Sequence, residues 1–179
     1  CVRAEPDLFA LEAARNLQLR LDRFVGRTVW VFPIRTFGQR CSSCTDTVTG
    51  RKTTSSCRTC YDTKWVGGYF RPIELNMQII LPPEVTQTSA LGEIQTLNAT
   101  GRLANYPELQ PRWLVVDSEN VRWRIGEGVR RVERGRALIR QDFSLHAIPK
   151  GDIEYTLPLK LSDAEKLSLW ASPKYLYHN

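Results

Sequence analysis

The stretch "CSSCTDTVTGRKTTSSCRTC", residues 41–60, carries four of the chain's five cysteines as two C-x-x-C pairs with twelve residues between them. No other segment so restricts what the chain can fold into. Each C-x-x-C turn presents two sulfurs to one side, and two such turns joined by a hairpin supply the four corners of a tetrahedral metal shell. The spacer suits a hairpin: Gly50 lies near its centre, with strand-favouring threonines around it. The predicted ligands are therefore Cys41, Cys44, Cys57 and Cys60, closing around one structural Zn²⁺ per chain. Two disulfides are the competing arrangement, which synthesis in a reducing cytoplasm disfavours. A redox C-x-x-C lacks its strand-then-helix setting here, and a catalytic zinc keeps an open position that four thiolates would fill. Cys1 is remote in sequence and reads as a bystander. Seven cations between Arg35 and Arg71, against Asp46 and Asp62 alone, offset the negative charge of such a shell.

The rest of the chain reads as mainly β with terminal helices, a small antiparallel β-barrel into which the cysteine hairpin is inserted. Residues 1–26 form an N-terminal helical segment, in which Leu8, Leu11, Ala14, Leu17, Leu21 and Phe24 recur at spacings of three or four, with Pro6 near the start and Gly26 at the stop. The barrel spans 27–158, with the metal insertion at 40–62 and a long loop or arm at 82–111 that contains one short strand near 94–99. "RTVWVFPIRTF", with Pro33 placing it at an edge or bulge, "RWLVVD", "VRWRI", "VRRVE" and "ALIRQDFSLHAIP" have the β-branched or alternating character of strands, and the last four are read as a meander turning at 118–120, 126–128 and 134–136. In "VRWRI" the alternation puts Val121, Trp123 and Ile125 on one face and Arg122 and Arg124 on the other. Residues 159–179 read as a short helix at about 163–171, started by the capping box Ser162-Asp163-Ala164-Glu165, and a tail whose Tyr175 and Tyr177 are candidates for docking on a partner.

Charge and motif content narrow the function. The formal charge is +6, and residues 121–140 hold seven arginines against two glutamates. Arg122, Arg124, Arg130, Arg131, Arg134 and Arg136 are candidates for a subunit interface or for contact with DNA phosphates, since guanidinium forks suit carboxylates and phosphates alike. No apolar run reaches the roughly 20 residues of a membrane span, and charges throughout the first 24 residues argue against a secretory leader. An enzyme is not expected: no nucleophile, metalloprotease or phosphate-loop motif occurs, and His146 stands alone in a strand. A zinc-ribbon nucleic-acid-binding accessory protein is the alternative reading, with Trp30, Trp65, Tyr61, Tyr69 and Phe70 as candidate stacking rings.

The segment from Cys41 to Pro72, with Tyr61 after the last cysteine and the step Gly67-Gly68-Tyr69, resembles the zinc knuckle of tailed-bacteriophage neck proteins. "YPELQPRWLVVDSENVRWRIGEGVRR" resembles the strand pair of their barrel. "RQDFSLHAIPKGDIEYTLPL", with Arg140, Gln141, Asp152, Tyr155, Leu157 and Pro158, is similar to its closing strand and exit. The likeness covers roughly residues 27–158 and implies a head-closure protein, a stopper or connector of the virion neck. It further implies a ring of twelve or six copies around the DNA channel, with non-specific DNA contact there. A portal or adaptor protein would lie on the head side and a tail terminator or tail tube protein on the tail side. Assembly would take place in the cytoplasm of the bacterial host, with no membrane partner.

Overall fold

The computed structural model describes residues 7–46, 49–54, 56–82, 87–89, 92–94 and 98–158. Helix α1 (Leu8–Arg20) continues into one wide turn, Leu21–Val25, before strand β1 (Arg27–Phe32). The chain then runs through the cysteine module into β2 (Ile73–Ile80), a small hairpin of β3 (Gln87–Ser89) and β4 (Gly92–Ile94), and β5 (Asn98–Leu103). It ends with β6 (Leu114–Asp117), β7 (Arg122–Arg134), β8 (Ala137–Ala147) and a 3₁₀ turn at Ile153–Thr156. Six strands close into an antiparallel barrel in the order β1-β2-β5-β8-β7-β6, with β6 returning to β1. Cys1, Pro6, the expected helix at 163–171 and Tyr175 and Tyr177 lie outside the described residues.

The barrel interior follows from alternation. Val29 and Val31 of β1, Met77 of β2, Val115 of β6, Trp123 and Ile125 of β7, and Phe143 and Leu145 of β8 point into one dry core. On β5 the inward positions are Ala99, Gly101 and Leu103, so this strand carries little apolar periodicity. The small residues answer to Phe143, which pairs with Gly101 across the ladder: a Cβ on Gly101 would sit 2.2 Å from the phenyl ring. The interval 82–111, expected to be a loop or arm with a strand near 94–99, thus contains a full barrel strand at 98–103.

Two further expectations are corrected. Gly126-Glu127-Gly128 is not a turn: β7 runs through it, and the register slips between Ile125 and Val129 as a bulge. The meander therefore has three strands, and Gly135 makes its last turn with φ +61°. In α1 and the turn after it the buried stripe is Ala10, Ala14 and Leu21, while Leu8, Phe9, Leu11, Leu19 and Phe24 are exposed. Asp7 caps the helix, accepting the Ala10 N–H at 3.1 Å, and the two alanines let the helix backbone approach β8 closely.

Strand β6 is buried on both faces. Val115 looks into the barrel, and Leu114 and Val116 look out into a second apolar cluster with Phe32, Tyr69, Ile148 and Leu157. That outer cluster is roofed by the cysteine module, through Tyr69 and Tyr61, and by the chain around Tyr155. Buried polar groups are tied in. The Gln141 side chain accepts the Leu109 N–H at 2.8 Å and donates to the carbonyls of Ala104 at 3.1 Å and Pro107 at 2.8 Å. Gln141→Leu would strand these three groups in a dry interior at about 1–3 kcal/mol each. The expected outcome is a loss of about 3 kcal/mol, read as a lower urea midpoint at unchanged slope.

Candidate metal centre

The cysteine module occupies the connection between β1 and β2. Its two C-x-x-C turns are held by backbone bonds within and between them: Thr53 N–H to the Cys44 carbonyl at 2.8 Å, Tyr61 N–H to Cys57 at 2.8 Å, and Cys41 N–H to Lys64 at 2.9 Å. The second turn leaves through residues of positive φ, Tyr61 at 47° and Asp62 at 61°, which fold the chain back under its own cysteines. Gly68, at φ +67°, is pressed against that turn, and a Cβ there would lie 2.8 Å from the Cys60 carbonyl.

The four predicted ligands converge. The sulfurs of Cys41, Cys44, Cys57 and Cys60 all lie within 4.8 Å of one another, and all four residues are buried. Cys41 and Cys57 are 3.7 Å apart and Cys44 and Cys60 3.2 Å apart, and all four cysteines are free. A tetrahedral ion with metal–sulfur bonds of about 2.3 Å spaces its sulfurs about 3.8 Å apart, so the cage fits a metal held by four thiolates. Among the described residues the cluster is composed of these four alone, with no aliphatic side chain among them.

Electrostatics of the cage divide the thiols. Burial raises Cys60 to about 12, with the Cys44 sulfur adding to the shift, and burial likewise raises Cys44. Burial acts the same way on Cys57, but backbone hydrogen bonds from Thr59 and Cys60 and the Cys41 thiol outweigh it and bring Cys57 down to about 7. Around the cage Asp62 is the clamp. Its carboxylate accepts the N–H of Cys57 at 3.0 Å and of Ser56 at 3.2 Å and pairs with Lys52 at 3.0 Å. These contacts overcome its burial and lower its pKa. From the sequence Asp62 is only one of two anions set against seven cations; its place directly after C-x-x-C-Tyr, where an aspartate tolerates positive φ, is the signal for this role.

The candidate arginines are not gathered in one place. Arg122 is only 3% exposed, so the expectation of an exposed arginine face fails at this residue. Alternation does turn it out of the barrel, but the outer face is roofed. Its guanidinium donates to the carbonyls of Glu154 and, at 3.0 Å, Leu157, and lies 5.0 Å from the Tyr155 ring. Arg124 pairs with the buried Glu154 carboxylate. Arg131 pairs with Glu108 at 2.8 Å, and Arg134 with Asp7 at 2.9 Å while lying over the Phe9 ring; Arg130 and Arg136 are exposed on the same hairpin. Between module and barrel lies a polar cleft of about 370 Å³ lined by the pairs Lys52–Asp62 and Arg124–Glu154 together with Arg112 and Asp152. On its wall Tyr69 is pushed up to about 12 by burial and by the Glu154 charge. His146 bonds to Asn98 across the β5–β8 ladder at 2.8 Å. Among the described residues no helix is long and apolar enough to cross a membrane.

Compared with known proteins, the chain matches no family model and no curated protein.

One metal ion per chain is expected, lost together with fold stability in Cys57→Ser and Cys60→Ser, by elemental analysis and thermal unfolding. Asp62→Ala is expected to keep the four ligands but weaken the metal about 10- to 100-fold in chelator competition. Binding converts thiols to thiolates and releases protons, so affinity falls as pH falls. Below pH about 7, where Cys57 also holds its proton in the metal-free protein, the fall steepens by one proton, about tenfold more per pH unit.

Proposed function

We propose that this chain is a non-enzymatic structural subunit of a tailed-phage neck, a head-closure protein that assembles as a ring and uses one zinc ion per chain as a staple. The observation that carries the assembly reading is helix α1. It packs inward with alanines and leaves Leu8 75% exposed and Phe24 81% exposed, with Phe9, Leu11 and Leu19 also toward solvent. A monomer gains by the opposite arrangement, whereas an apolar helix face suits burial against another subunit. The six-stranded barrel with a four-cysteine module between its first two strands supports the neck reading, because the resemblance of residues 27–158 implies that arrangement. The neighbours in this reading are further copies of the chain, a portal or adaptor protein, and a tail terminator or tube protein. Zinc is the ion proposed because a tetrahedral four-thiolate shell suits it and leaves no open position for chemistry.

Elemental analysis is expected to return zinc, and iron would overturn that choice. For assembly, light scattering and electron microscopy of the purified chain, alone and with particles lacking their necks, are expected to show rings or neck occupancy. Leu11→Asp with Leu19→Asp is expected to abolish both while retaining the metal. A chain that stays monomeric and joins no particle overturns the neck reading.

A further inference from the structure

The cysteine module carries a second surface, distinct from its metal cage and from its contact with the barrel. Residues 33–40 and 65–70 pair as a ribbon, with isolated bridges Ile34–Tyr69 and Arg40–Trp65 and backbone bonds Phe70 to Pro33 at 2.8 Å, Arg35 to Gly68 at 3.0 Å and Val66 to Gln39 at 2.9 Å. Ile34 and Tyr69 turn toward the barrel's outer apolar cluster. Their chain neighbours Arg35 and Phe70 therefore turn the other way. On that outward side cations and rings interleave. The Arg35 guanidinium lies 5.0 Å from the Phe70 ring, Phe37 packs tilted against the same ring with centroids 5.1 Å apart, and Arg40 lies 5.7 Å from the Trp65 ring. Phe37 is 60% exposed.

The charge around this ribbon is one-sided. Arg35 and Arg40 lie on the ribbon's outward side; elsewhere in the module Lys52 is paired with Asp62. Arg35, Arg40, Arg51, Arg58, Lys64 and Arg71 have no carboxylate partner among the described ion pairs. The segment contains no glutamate, and its cations outnumber Asp46 and Asp62 by more than the thiolate cage requires. A cationic surface with an exposed ring is the combination that holds a flexible polyanion whose bases are free to stack; a duplex offers the phosphates but hides the base faces.

We infer that this ribbon face binds single-stranded nucleic acid, with guanidinium groups on the phosphates and the Phe37 ring against an unpaired base. The inference does not rest on ring assembly and is tested on the chain alone. Fluorescence anisotropy with oligonucleotides of about 15 units, oligo-dT, oligo-U and a duplex, over a salt series, supplies the readout. Both single strands are expected to bind more tightly than the duplex, and a difference between dT and U identifies DNA or RNA as the source. Phe37→Ala is expected to weaken single-strand binding about tenfold or more with metal content unchanged. Arg40→Gln with Lys64→Gln is expected to flatten the salt dependence. Duplex bound as tightly as single strand, or Phe37→Ala binding like the parent chain, overturns the inference. No binding at low salt also overturns it and leaves a protein as the occupant of this face.

Discussion

The convergence of four sulfurs is the constraint on which the rest of the structure depends. Among the described residues between Phe32 and Ile73 there is no strand of the barrel and no aliphatic core of the module's own; its buried cluster is Cys41, Cys44, Cys57 and Cys60. A segment of this length with so little apolar surface to bury does not offset its conformational entropy by packing. A metal held by the folded form and not by the unfolded one would supply the missing free energy. The hydrogen bonds of Asp62 and the close seat of Gly68 against Cys60 shape the cage, but they presuppose that the two turns have come together.

The module in turn completes the barrel. Tyr69 and Tyr61 cover Leu114 and Val116, so β6 is buried on both sides. From below, the carbonyls of Glu154 and Leu157 close on Arg122, which is buried in the same region. Metal cage, outer cluster and exit of the last described segment are thus mechanically one unit, while α1 and the β7–β8 hairpin form another through the contacts of Arg134 with Asp7 and Phe9.

The convergence of the four cysteines was legible because its information is local: residue type and spacing suffice. Strands β1, β6 and β8 were legible through β-branched and alternating residues. Strand β5 was not, since its inward positions are Ala99 and Gly101 and the space belongs to Phe143, a residue some forty positions away. The helix was found, and Ala14 and Leu21 of the expected stripe are buried, but Leu8, Leu11 and Phe24 are exposed, because close packing on β8 selects small residues such as Ala10 and Ala14 over the larger leucines. Arg122 shows the limit of alternation most clearly. The pattern correctly turns it out of the barrel, yet whether outward means solvent depends on a second layer contributed by residues far along the chain.

The module leaves the barrel after Phe32 and re-enters at Ile73, which stands opposite Val31 in the ladder. Its ends are therefore already at hairpin distance, and a short turn would close the same barrel without it. Inheritance of the fold does not then require inheritance of the metal. A descendant that lost the cysteines would, however, uncover Leu114 and Val116, and would have to rewrite the outer face of β6 in polar residues or recruit another cover for it. Across a lineage, the cysteines and the outward side chains of β6 should be gained and lost together, as one heritable trait written in two distant places.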